Sequence, residues 1–365
     1  MRLQSLGDGQ FDLLVIGGGI VGAGVARDAA SRGLKVLLVE QSDFASGTSS
    51  RSSRLLHGGL RYLAQGRIGL VREASVEKMR LSRLAPHLSQ SLAFVFPVWE
   101  GASVPRWKLA LGVRIYDLLC GGRNLGMSHS YKRDALLEKV PGLNGDLLRG
   151  GVSYFDALTN DARLVIDTLH SSEADETTLL NYVGYVSGDP VEGGWHCTVK
   201  DHLDGTTAEV RARAVVNAAG AWAARLPHSG VRLRLTKGIH LVIDRSRLPV
   251  ADAVVLPEGK RILFVIPWGE RVILGTTDTD YAGDPADVRT EPVDVEYVLG
   301  IVNAAFPAAK LAASDAISTW AGVRPLIAPP GPSQATRPTR PATTRSACPS
   351  RGGSTWPAAN SPPTG

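Results

Sequence analysis

A chain of 365 residues with 44% hydrophobic composition is long enough for two domains and a sizeable core, which excludes a small binding module. Of its formal net charge of +5, four charges come from arginines in a carboxylate-free stretch after residue 328, so the basic balance carries no nucleic-acid signal. Three cysteines, Cys120, Cys197 and Cys348, lie far apart without C-x-x-C spacing, which points to a reducing compartment, no disulfide framework and no metal.

The first strand pattern begins within about ten residues, leaving no room for a leader, and no apolar run approaches the roughly eighteen residues of a membrane span. The chain therefore reads as cytoplasmic or peripheral to a membrane.

In chain order, Phe11-Asp-Leu-Leu-Val-Ile16 reads as a buried strand, followed by glycines 17, 18, 19 and 22 and a helix pattern from Ile20 and Val21. A second strand, Lys35–Val39, ends in Glu40, about twenty residues beyond the glycines. This is a dinucleotide-binding fingerprint. Gly17, Gly18, Gly19 and Gly22 bring the backbone close to a pyrophosphate, whose charge faces the positive end of the helix at Ile20 and Val21. Glu40 then takes the ribose hydroxyls.

The loop Thr48-Ser49-Ser50-Arg-Ser-Ser-Arg54-Leu-Leu-His57-Gly58-Gly59-Leu-Arg61-Tyr62 follows. Its hydroxyls suit a pyrophosphate, and Gly58 and Gly59 beside His57 let main-chain N–H groups approach a flat ring system. Residues 107–119 then place Trp107, Leu111, Ile115, Leu118 and Leu119 on one helical face, with Arg106, Lys108, Arg114 and Arg123 nearby. Such a face suits either a core or a lipid surface. From about residue 178 strands dominate. The apolar run at 214–218 ends at Ala219 and Gly220, where a ligand can approach the backbone. The alternating runs 239–243, 261–266 and 271–275 read as antiparallel strands of a substrate-side sheet.

Taken together, D-L-L-V-I-G-G-G-I-V-G-A-G, T-S-S-R-S-S-R-L-L-H-G-G-L-R-Y-L, N-D-A-R-L at 160–164, Lys237-Gly-Ile-His240, F-V-I-P-W at 264–268, G-T-T-D-T-D at 275–280 and Gly322-Val-Arg324-Pro-Leu resemble the FAD-dependent, respiratory glycerol-3-phosphate dehydrogenases. The resemblance is collinear from about residue 11 to about residue 328. It implies an α/β fold with a Rossmann-like, three-layer, mostly parallel FAD-binding domain and an inserted antiparallel-sheet substrate domain, as in D-amino-acid oxidases. On that basis residues 11–90, 150–230 and 310–328 are expected to build the FAD domain, and 91–149 with 231–309 the substrate domain.

The implied reaction removes two electrons from C2 of sn-glycerol 3-phosphate, gives dihydroxyacetone phosphate, and passes the electrons through FAD to a quinone. Arg61 and Arg324 are then the phosphate-binding guanidiniums. His240, with Lys237 close by, is the candidate base for the C2 hydroxyl, and Tyr62 and Thr277 hold substrate hydroxyls. A peripheral site on the inner face of a cell membrane fits the quinone, and a second copy of the chain in a homodimer stays open as a partner. The alternatives are an FAD-dependent amine or amino-acid oxidase on the same fold, and a truncated FAD-binding remnant without turnover. A nicotinamide-dependent reductase is disfavoured by the loop after Glu40.

Residues 329–365 hold nine prolines and no Val, Ile, Leu, Phe or Tyr, a composition expected to be disordered. Back-translated in a shifted frame, the codons of the last residues allow G-K-L-T-T-Y-R, with which the resembled family continues. A frameshift shortly after Arg337 is therefore expected. The resembled function then belongs to the locus, and this polypeptide is expected to fold poorly and bind FAD weakly.

Overall fold

The computed structural model describes residues 2–6, 9–58, 63, 66–120, 124–173, 177–259 and 261–328. Expectations for Gly59, Arg61, Tyr62, Arg123 and the tail after residue 328 lie outside the described residues. The regular elements in order are β1 (Gln10–Ile16), α1 (Ile20–Ser31), β2 (Val36–Glu40), β3 (Leu55–Leu56), α2 (Ile68–Leu84), β4 (Gln90–Trp99), α3 (Arg106–Leu119), β5 (His129–Tyr131), α4 (Arg133–Lys139), β6 (Leu148–Leu158) and α5 (Asp161–His170). They continue with β7 (Thr177–Asn181), β8 (Val183–Val191), β9 (Gly194–Asp201), β10 (Thr207–Asn217), β11 (Leu233–Asp244), β12 (Ala253–Glu258), β13 (Arg261–Trp268), β14 (Arg271–Gly275), β15 (Thr279–Tyr281), α6 (Pro292–Ala305) and β16 (Ala316–Ile327).

A six-stranded sheet runs in the order β7-β2-β1-β10-β9-β8. Its β7, β2, β1 and β10 are parallel, and β10-β9-β8 is an antiparallel meander. Both faces are buried, so β1 and β2 read as continuous apolar runs rather than as alternation. Val15, Val36 and Leu38 pack under the alanines of α1 and under Val165 and Leu169 of α5. Leu14, Ile16, Leu37 and Val39 face the other way, against Val183, Cys197, Val199 and Val210. The side chain of Asn160 accepts from the Arg163 N–H and caps α5.

A ten-stranded sheet follows β15-β11-β14-β13-β12-β4-β6-β3, with β16 along the free edge of β11 and β5 on β6. Its pairs are antiparallel except β12 with β4. Ile239, Leu241 and Ile243 of β11 and Ala321 and Val323 of β16 bury against Val298, Leu299 and Val302 of α6. The opposite face carries Phe94, Tyr154 and Ile273, covered by Val71 of α2 and by Val113 and Tyr116 of α3.

Sheet membership differs from the expected domain boundaries in three places. Residues 55–56, 148–158 and β16 belong to the ten-stranded sheet, although 55–56, 150–158 and 310–328 are expected in the FAD domain from sequence. The reason is that an apolar pattern announces a strand and its buried face but not its neighbour. The partner of β16 is β11, in the register Arg324 opposite Thr236 and Trp320 opposite His240.

Candidate active site

At the carboxyl ends of β1, β2 and β10 lies a cavity of about 580 Å³, lined among others by Gly17, Gly19, Ile20, Val21, Glu40, Thr48, Ser49, Ala219 and Gly220. The glycines there have separate tasks. Gly17 turns at φ 112°, and a Cβ on it would lie 2.6 Å from the Ala218 carbonyl oxygen. A Cβ on Gly22 would fall onto the Gly17 carbonyl, and one on Gly18 would meet Phe44 and Glu40. Gly18 and Gly22 therefore serve close packing behind the cavity. Gly19 faces the cavity, its nearest obstacle being the Ser49 hydroxyl at 3.0 Å.

The first-turn N–H groups of α1 have no intrahelical acceptor. Ser49 Oγ accepts from Ile20 N at 3.0 Å, and Gly19 supplies no side-chain cap. The Glu40 carboxylate is held at the cavity wall by Gly18 N and Ser42 N, both at 2.8 Å. Thr48 Oγ1 donates to the Val323 carbonyl at 2.7 Å and ties the loop to β16. Ser50 turns back onto the Gly47 carbonyl and leaves the lining. Gly58 is also absent from the lining. Its N–H donates to Tyr116 Oη at 2.7 Å, and Tyr116 donates to Asp156, which pairs with the equally buried Lys78 at 2.7 Å.

A smaller cavity of about 170 Å³ adjoins the first, sharing Thr48, Arg51, Ser52 and Gly322, and adds His57, His240 and Arg324. No carboxylate among the described residues lines it. His240 is 2% exposed and stacks on Trp320, with ring centroids 5.1 Å apart. Its Nε2 is 2.8 Å from Ser53 Oγ, and its Nδ1 has no hydrogen-bond partner among the described residues. Burial, followed by the charges of Arg324 and Arg54, pushes its pKa down from 6.5 to about 3. Arg54 itself is clamped between the indoles of Trp268 and Trp320, its guanidinium carbon 4.2 and 5.1 Å from the ring centres.

Arg324 projects from the same face of β16 as Trp320 and donates to Thr276 Oγ1 at 3.0 Å, to the Thr277 carbonyl at 3.2 Å and to Asp278 at 3.3 Å. A Cβ on Gly238 would strike the guanidinium, so the missing side chain makes room for it.

Two expected site residues sit elsewhere. Lys237 is three positions from His240 on one strand, and odd spacing along a strand points side chains to opposite faces. It reaches Glu291 at 2.6 Å and Asp294 at 2.8 Å at the start of α6, on the side away from His240. Thr277 Oγ1 accepts from the Ile239 N–H at 3.1 Å, which fixes β11 rather than facing a ligand, and Thr276 is the hydroxyl beside Arg324. Arg51, Ser53, Arg54 and Trp320 join the site although the sequence alone does not mark them. Ser53 and Arg54 flank the expected loop residues, but only the pairing of β11 with β16 brings Trp320 to His240.

The profile of the family described as FAD dependent oxidoreductase matches residues 12–356. Glycerol-3-phosphate dehydrogenase 2 of Mycobacterium tuberculosis (strain ATCC 25618 / H37Rv) is 42% identical over 339 residues, covering 89% of this chain and 56% of the relative. Alpha-glycerophosphate oxidase of Streptococcus pneumoniae serotype 4 is 38% identical, with 90% of this chain and 56% of the relative covered. The solved glycerol-3-phosphate dehydrogenase from Bacillus halodurans, complexed with FAD, superposes with a TM-score of 0.73 at 36% identity, over 90% of this chain and 59% of that one. Glycine oxidase from Geobacillus kaustophilus, 19% identical with a TM-score of 0.63, shares the fold, covering 87% of this chain and 83% of that one. The chain thus spans little more than half the length of these curated relatives. The profile match and the identity with these relatives both place this chain in the family of FAD dependent oxidoreductases.

Proposed function

We propose that the chain oxidises sn-glycerol 3-phosphate at C2 to dihydroxyacetone phosphate, with FAD as hydride acceptor and a quinone as the final acceptor. The larger cavity fits FAD. Gly19 keeps side-chain atoms off its wall, the α1 N-terminus opens on it as a helix end suited to a pyrophosphate, and Glu40 stands at the end of β2 for the ribose. FAD bound there supplies the two-electron acceptor that takes the C2 hydride.

The observation that carries the reading is a buried, neutral imidazole beside a guanidinium in a cavity that no described carboxylate lines. When Nε2 accepts from Ser53 Oγ, the C2 hydroxyl proton can reach the imidazole through that hydroxyl, which lines the same cavity. A pKa near 3 makes a weak base, and Arg324 is among its causes. A phosphate dianion on Arg324 offsets that charge and raises the basicity of His240 when substrate is present. Arg324, together with Arg61, anchors the phosphate end, so that C2 rather than C1 meets the imidazole.

The test is anaerobic mixing of the FAD-loaded protein with glycerol 3-phosphate, glycerol and glycine. Bleaching of the flavin by glycerol 3-phosphate alone is expected. Equal bleaching by glycerol removes the phosphate role, and bleaching by glycine moves the chain to the amino-acid oxidases.

Docking to a lipid surface is part of the same proposal. On α3, Trp107, Leu111 and Leu118 are 65%, 54% and 73% exposed, Ile115 is 39% exposed, and Lys108 and Arg114 are exposed beside them. An apolar stripe with flanking cations suits anionic headgroups. No helix among the described residues is long and apolar enough to cross a membrane. The protein is expected to sediment with anionic vesicles, and Trp107→Glu with Leu118→Ser to abolish this. Dimerisation through the stripe without vesicle binding would assign it to a second copy of the chain instead.

A further inference from the structure

Arg51 stands at the rim shared by the two cavities. Among the described residues its guanidinium makes one long hydrogen bond, 3.3 Å from Nη1 to the Ala321 carbonyl, and pairs with no carboxylate. Its backbone is seated against Gly322, where a Cβ would come within 2.9 Å of Arg51 Cβ and 3.0 Å of its carbonyl oxygen. Gly322 and Arg324 are same-face neighbours on β16, about 7 Å apart along the strand. Two guanidinium-bearing side chains thus line one small cavity that no described carboxylate lines.

Resting on the function proposed above, we infer that Arg51 is a further phosphate-binding residue of the substrate cavity, closing on the phosphomonoester from the side opposite the Thr276–Arg324 contact. A guanidinium half-buried at a cavity rim and with no carboxylate partner among the described residues suits an oxyanion, because a planar fork loses little freedom when it takes two oxygens. The same chemistry would also serve the cofactor's pyrophosphate, so the two sources have to be separated.

The experiment compares the FAD-saturated protein with Arg51→Gln and Arg51→Lys, titrating dihydroxyacetone phosphate and dihydroxyacetone against the flavin spectrum, and measures FAD affinity separately. Arg51→Gln is expected to weaken dihydroxyacetone phosphate roughly ten-fold or more, to leave dihydroxyacetone and FAD unchanged, and to be partly rescued in Arg51→Lys. Loss of FAD affinity with phosphate affinity intact would assign Arg51 to the pyrophosphate and overturn the inference. Equal losses in both variants with a lowered melting temperature would make Arg51 a strut under β16 and overturn it as well. Should the unaltered protein fail to prefer dihydroxyacetone phosphate over dihydroxyacetone, the phosphate reading falls as a whole and takes this inference with it.

Discussion

The burial of His240 makes its titration a statement about stability. Its folded pKa lies near 3 and its unfolded one near 6.5, so the unfolded chain binds the extra proton between those values. Stability therefore falls as pH drops from about 6.5 toward 3 and is unaffected by this residue above that window. By pH 5 the loss from this one residue is about 2 kcal/mol. Denaturant midpoints at pH 7 and pH 5 should converge in His240→Asn relative to the parent; an identical acid loss in both would remove the buried, neutral imidazole from the account. The glycines make a second residue-scale test. Gly19→Val adds atoms toward the cavity and should lose FAD with a normal melting temperature, whereas Gly22→Ala drives a methyl onto the Gly17 carbonyl and should unfold the strand–helix junction. FAD retention in Gly19→Val would place the pyrophosphate elsewhere.

At the scale of elements, the join between β11 and α6 shows what a motif conceals. Lys237 and His240 belong to one string in the sequence, yet parity sends Lys237 to α6. Burial pulls the Lys237 pKa down, but hydrogen bonds to Asp294 and Glu291 outweigh it and the net shift is upward, so the ammonium stays charged. Asp294 is 5% exposed and also accepts from the Glu291 N–H to cap α6. Lys237→Met would strand that buried carboxylate and should cost about 3–5 kcal/mol, read as a lower melting temperature with FAD affinity preserved. A variant that keeps its melting temperature but loses substrate affinity would return Lys237 to the site. The Gly-rich turn and the place of Glu40 at the end of β2 were legible because their order is local: strand, turn, helix, strand, acid. Arg51 and Trp320 were not, because their place depends on which strand β16 chooses as neighbour. Gly238 was equally silent, since only the position of Arg324 shows why a side chain is missing there.

For the molecule as a whole, the alternation of chain between two sheets places the larger cavity at the ends of β1, β2 and β10 beside the smaller one lined by residues of β11 and β16. Thr48 and Arg51 bind the loop after β2 to β16 through the Val323 and Ala321 carbonyls, so one loop serves both cavities. The fold class was readable from the order of strand and helix patterns; the boundaries at 150–158 and 310–328 were not, because long-range pairing decides them. The central claim is that His240 removes the hydroxyl proton while the C2 hydrogen leaves as hydride toward FAD in the adjoining cavity. Its most direct test is single-turnover flavin reduction with glycerol 3-phosphate deuterated at C2, compared with C1- and C3-deuterated substrate, in the parent and in His240→Asn. The account predicts slower reduction with C2 deuterium only, and a large fall in the rate for His240→Asn. An isotope effect at C1 or C3, or an unchanged rate in His240→Asn, would contradict it.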